Sequence, residues 1–176
     1  LTARLTPWAA QPLPEAHARV RALDVGAIWA EAPRTHLTGE LDLAPLADAS
    51  APGWSVRADL HNRIPGPWDQ RHLPVDSVQA DVLWQNQTAT VRTLKAGLGG
   101  GTLEAKGRWT ASGDLGGWQI DTRIDGVDPA ALHTLLAALP IDGTAEVAGQ
   151  GAVVDFSAQL RARAGAGARQ PRPAAR

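Results

Sequence analysis

Along most of the chain, apolar and polar residues alternate with a period of two, the spacing of half-buried strands. Trp54, Val56, Ala58 and Leu60 lie on one side of a run whose other side is Ser55, Arg57, Asp59 and His61. Val78, Ala80, Val82 and Trp84 oppose Gln79, Asp81 and Gln85, and Leu103, Ala105, Gly107 and Trp109 oppose Glu104, Lys106, Arg108 and Thr110. Trp118, Ile120, Thr122 and Ile124 oppose Gln119, Asp121, Arg123 and Asp125; the last such run sets Val154, Phe156, Ala158 and Leu160 against Asp155, Ser157, Gln159 and Arg161. Weaker strands are predicted at 17–23, 37–43, 88–95 and 143–149. The total is about nine strands, each with one apolar and one charged face. A parallel sheet covered on both sides would read as unbroken apolar runs, so the pattern predicts antiparallel pairing.

Between the strands stand turn residues: Asn86-Gln87, the glycines of 97–101, and Ser112-Gly113-Asp114 with Gly116-Gly117. One helix is predicted over 128–139. Asp128 is placed to cap it, Pro129 suits its first position, Leu132, Leu135, Leu136 and Leu139 recur at helical spacing, and Pro140 stops it. Residues 1–14 read as an irregular leader, 15–163 as the β segment, and 164–176, all Ala, Gly, Arg, Pro and Gln, as a disordered tail.

The pattern repeats. Asp24 follows a strand, opens a short helical turn with Ile28 and Trp29, and precedes Gly39 by 15 residues; Asp128 stands in the same relation to Gly143, 104 residues further on. Repeats of strand units predict an elongated stack of sheet in place of a closed globule.

Composition narrows the chemistry. The 176 residues include 7 Trp but one Phe and no Tyr, Met or Cys, which excludes disulfides, thiolate metal sites and a cysteine nucleophile. A formal net charge of −1 leaves no electrostatic footprint for nucleic acid. No apolar run approaches the ~18 residues of a membrane span. The chain opens at Leu1 without Met and is read as an internal or processed piece, with any anchor expected upstream.

The glycines of 97–101 suggest a phosphate loop, but Thr102 breaks the dinucleotide fingerprint and no Gly-Lys-Ser/Thr follows, so a hairpin is expected. Ser55 lacks the second glycine of a nucleophile elbow. His17, His36, His61, His72 and His133 are scattered and never spaced as ligand pairs. Asn86-Gln87-Thr88 matches a glycosylation acceptor, though a turn accounts for it. The reading is a non-enzyme, with no catalytic residue, metal or cofactor expected.

The apolar face carries the information. Nine strands ~4.8 Å apart extend about 43 Å, and one helix of 12 residues, ~18 Å long, covers less than half of that. The remainder must curl on itself, meet another copy or hold something apolar; an ordinary sandwich is the bland alternative. The candidate lining is Trp54, Val56, Leu60, Val78, Val82, Trp84, Leu103, Trp109, Trp118, Ile120, Ile124 and Phe156. The expected fold is mostly β: an elongated, curled antiparallel sheet forming a groove, with one short amphipathic helix.

The stretch Asn62-Arg63-Ile64-Pro65-Gly66-Pro67-Trp68-Asp69, continuing to Leu73-Pro74, resembles a segment of the TamB-type subunit of the bacterial translocation and assembly module. Leu37-Thr38-Gly39-Glu40-Leu41, Leu94-Lys95-Ala96-Gly97-Leu98, Gly107-Arg108-Trp109, Gly126-Val127-Asp128-Pro129-Ala130-Ala131-Leu132 and Asp142-Gly143-Thr144-Ala145 agree with it in order, over residues 15–163. Several of these pieces recur across AsmA-like proteins. The resemblance implies a segment of a periplasmic scaffold, anchored in the inner membrane through a part not in this chain. The scaffold's apolar groove would shield phospholipid acyl chains between membranes and support outer-membrane protein assembly and secretion. Its implied partners are acyl chains and, through parts absent here, a TamA-type outer-membrane barrel. A structural β-solenoid of a surface adhesin, with a dry core, is the rival reading.

Overall fold

The computed structural model describes residues 2–4, 15–46, 51–111, 116–151 and 153–163. Its strands are β1 (Thr2–Arg4), β2 (Glu15–Leu23), β3 (Leu37–Pro45), β4 (Gly53–Asn62), β5 (Ser77–Gln85), β6 (Thr88–Leu98), β7 (Gly101–Thr110), β8 (Gly117–Val127), β9 (Ile141–Gln150) and β10 (Val153–Ala162). They form one antiparallel sheet in chain order, each strand paired with the next, with β1 and β10 at the two open edges. Among the described residues there is no second layer and no closure into a barrel, so the sandwich alternative is set aside.

All nine strands read from the alternation are present. β1 was not anticipated: it lies in the stretch expected to be irregular, and three residues are too few to show a period. The expected turn at Ser112-Gly113-Asp114 and the tail 164–176 lie outside the described residues. Asn86 and Gln87 both have positive φ, 49° and 58°, as a two-residue type I′ hairpin turn requires. Gly99 and Gly100, at 57° and 74°, do the same between β6 and β7, so the glycine cluster is a hairpin and not a phosphate cradle.

The 104-residue repeat is structural. Val20 and Leu23 flank a bulge in β2, and Ile124 and Val127, each 104 positions on, flank one in β8. Both bulges hold a residue at positive φ, Ala22 at 52° and Gly126 at 63°. Asp24 then accepts a hydrogen bond from the Gly26 N–H at 3.1 Å, and Asp128 from the Ala130 N–H at 3.0 Å. Gly39 and Gly143 share an unusual φ, 151° and 158°, where a Cβ would strike the carbonyl of Asp59 on β4 or of Gln159 on β10.

The predicted helix over 128–139 does not form. A single 3₁₀ turn, Pro129–Ala131, follows the Asp128 cap, and the rest is turns, with Leu135, Leu136 and Leu139 exposed. The cause is competition for the backbone. In an α-helix the Leu132 carbonyl would accept from Leu136; here it accepts from the Trp68 N–H at 2.9 Å, and Leu136 donates to His133. The Thr134 N–H, which would reach back to Ala130, donates to Asp69 Oδ1 at 3.0 Å, and the Thr134 hydroxyl donates to Asp69 Oδ2. An isolated helix of this length is marginal in water, so two long-range bonds are enough to divert it. The first repeat copy has only one α-helical turn, Val25–Ile28.

These bonds belong to a belt that joins the loops along one rim of the sheet. Buried Asn62 accepts from the His36 N–H at 3.0 Å and donates to the Leu73 carbonyl at 3.2 Å. The Asp128 N–H donates to the Gly99 carbonyl at 3.0 Å, and Arg163 pairs with Asp125 and Asp142, each at 2.8 Å.

The Thr134 hydroxyl, then its N–H, hold the Asp69 carboxyl below its ordinary value. A lowered folded pKa means that this group's contribution is present above the unfolded value of ~3.9 and is lost as pH falls through the folded one. The Thr134 amide shift is therefore expected to titrate with a midpoint below ~3.9 in NMR, and to stop titrating in Asp69→Ala. A midpoint at or above that value would contradict the clamp.

Candidate functional site: one face of the sheet

Residues directly opposite in an antiparallel pair project to the same side, so the register assigns the faces. Trp54 pairs with Trp84, Val56 with Val82, Ala58 with Ala80 and Leu60 with Val78. Across β6 the series continues through Ala89, Val91, Leu94 and Ala96 to Trp109, Gly107, Ala105 and Leu103. From there it runs to Trp118, Ile120, Thr122 and Ile124, then to Gly149, Val147, Ala145 and Gly143, and finally to Val154, Phe156, Ala158 and Leu160. On the other side, Leu43, Leu41 and Gly39 of β3 and Ala16, Ala18 and Val20 of β2 extend it. All twelve residues singled out from sequence lie on this face.

The register also shows four rows crossing the strands, which alternation alone did not reveal. The first holds Trp54, Trp84, Trp109 and Trp118; Trp84 and Trp109 stack over Ala89, ring centroids 5.6 Å apart. The indole of Trp118 lies where Gly149 leaves space for it. The second row is mostly branched: Val56, Val82, Val91, Ile120, Val147 and Phe156. The third is mostly small: Ala18, Ala58, Ala80, Ala105, Ala145 and Ala158, with Leu41, Leu94 and Thr122. The fourth is aliphatic, from Val20 through Leu60, Val78, Leu103 and Ile124 to Leu160. A bulge at Arg92-Thr93 keeps Val91 and Leu94 on the same side although they are three positions apart, an odd step that would otherwise reverse the face. No charged residue enters any row. The only hydroxyl, Thr122, donates to the Ala145 carbonyl at 2.9 Å.

This face has no cover among the described residues. The buried apolar side chains are small or at a strand end, Ala96, Ala105 and Val127, and no large one is fully buried. Trp84 is 39% exposed, Trp109 41%, Ile120 39% and Phe156 69%, with the other candidates half-buried between neighbours. The four rows span three two-residue steps, ~20 Å, and β2 to β10 span ~38 Å. The resulting footprint, on the order of 800 Å², exceeds the ~300–600 Å² of the largest apolar patch on a typical monomer.

The opposite face is charged and wet. Arg19 meets Glu40 at 2.8 Å, Lys95 meets Glu104 at 3.5 Å, and His17 meets Asp42 at 2.5 Å, all well exposed and so worth at most ~1 kcal/mol each. Three shallow hollows, of about 770, 410 and 250 Å³, are lined mainly from this side. The apolar face is thus an open surface and not an enclosed pocket. Among the described residues no group of three His, Asp or Glu side chains gathers as a metal cage, and no helix is long and apolar enough to cross a membrane. No family model, curated protein or solved structure matches the chain.

Sequence reasoning missed the clamp residues Trp68, Asp69 and Thr134. Trp68-Asp69 enters the sequence reading only through the resemblance, and residue 134 only as an interior position of the helix predicted over 128–139. Nothing in local pattern signals that residues 65 positions apart share hydrogen bonds.

Proposed function

We propose that this chain is a segment of a non-enzymatic scaffold whose apolar sheet face shields lipid acyl chains. The observation that carries the reading is the row structure: four rows cross the strands, and every residue in them is uncharged and, Thr122 apart, apolar or glycine. A chain lying against one strand meets an uncharged surface on the next, although the side chains differ, Trp54, Val56, Ala58 and Leu60 on β4 against Ala89, Val91, Leu94 and Ala96 on β6. At ~0.8 kcal/mol per buried CH₂, movement from strand to strand exchanges one set of apolar contacts for another, which is what a conduit needs and what a single tight pocket would prevent. A dry solenoid core fits less well, because it requires large side chains closed off from solvent. The resemblance to TamB-type proteins supports the same reading, with a periplasmic setting, an inner-membrane anchor elsewhere and an outer-membrane barrel partner as parts of the proposal.

Purification without detergent followed by lipid extraction and mass spectrometry tests it. Bound phospholipid is expected with the unmodified chain. Leu103→Asp sets an unpaired carboxylate among the rows, at a local cost of several kcal/mol, and should lose most of it. Glu104→Asp, one residue away on the charged face, should retain it. A folded chain that carries no lipid would overturn the proposal.

A further inference from the structure

The four rows are not equivalent, and their order gives the face a polarity. We infer that it takes phospholipid in one orientation: acyl chains along the strands, headgroups at the tryptophan row. The inference rests on the acyl-chain reading and adds which end of the lipid goes where.

Two observations support it. The first is chemical. Tryptophan, an apolar body with a polar N–H, concentrates at the level of lipid headgroups, where one side is wet and the other is hydrocarbon. Here Trp54, Trp84, Trp109 and Trp118 come from four strands yet stand at one level, next to the rim that holds the polar turn Asn86-Gln87. The fourth row, at the opposite end of the face, is aliphatic and holds no tryptophan; beyond it stand the loops of the polar belt, which expose Trp29 and Trp68 with Ile28, Leu135 and Leu136 off the face itself. The second is dimensional. From Trp54 to Leu60 is about 20 Å along the strand, against ~15 Å for one leaflet of a ~30 Å hydrocarbon core. One layer of chains fits between the tryptophan row and the far rim; chains laid across the strands would leave the indoles beside methylenes with no headgroup to meet.

Tryptophan fluorescence in the full chain tests this, with Trp8, Trp29 and Trp68 changed to Phe so that only the row reports. The probe is phosphatidylcholine vesicles brominated near either the carbonyl or the methyl end of the acyl chain. Quenching by the carbonyl-end label is expected to be stronger, by about twofold, because the labels differ by roughly half a leaflet in depth. A reporter at the far end, Leu103→Trp with the row changed to Phe, should show the opposite preference, circular dichroism checking that the sheet persists. Equal or stronger quenching of the row by the methyl-end label would overturn the orientation while leaving acyl-chain binding intact. Absence of quenching by either label would overturn the binding itself.

Discussion

Gly39→Ala and Gly143→Ala are each expected to destabilise the sheet severely, and Gly100→Ala only mildly. All three glycines have positive φ, so a Cβ brings strain in every case, of order 1–3 kcal/mol. The difference lies in what surrounds them. Nothing stands within 4 Å of a Cβ at Gly100, whereas at Gly39 and Gly143 it would run into the backbone of the neighbouring strand. Backbone held by a ladder of hydrogen bonds cannot step aside as a side-chain tip can, so overpacking adds roughly 1–3 kcal/mol more. A combined loss of about 2–6 kcal/mol is a large share of the ~5–15 kcal/mol that stabilises a typical domain. Urea denaturation followed by circular dichroism should show a much lower midpoint, or no folded baseline, for Gly39→Ala and Gly143→Ala. If all three variants lose the same small amount, the close strand approach that defines the repeat is not present in solution.

The part of this molecule legible in sequence is the part governed by local periodicity. Side chains on a strand alternate by geometry, so the alternation at 54–60 or 118–125 reports strand and face together, and the nine strands followed from it. The relation between Asp24 and Gly39 on one side and Asp128 and Gly143 on the other was legible too, because a cap and a strained glycine each need a particular residue type. What alternation leaves undetermined is register. Whether Trp84 stands level with Trp109 depends on how many residues each turn and bulge contributes, and the bulge at Arg92-Thr93 has no plain signature. The tryptophan row was therefore a set of four separate residues until the strands were paired. The leucine run at 132–139 was misread for the opposite reason. Its helical spacing is real, but Trp68 and Asp69 take up the backbone groups a helix would use. Propensity is decided locally, whereas these bonds come from a loop on a distant part of the sheet.

Lipid is proposed to meet one face of this sheet and not the other. Site-specific photo-crosslinking in the full chain tests it most directly. A photoreactive residue at Val82 or Ile120 lies in the second row of the apolar face. At Asp81 or Asp121, one residue back along the same strand, it projects to the charged side, because successive side chains alternate. The four positions thus share their strands and differ in the direction they point. With phospholipid present, adducts identified by mass spectrometry are expected at Val82 and Ile120, with little or none at Asp81 and Asp121. Equal capture on both faces, or capture confined to the charged face, would contradict the account.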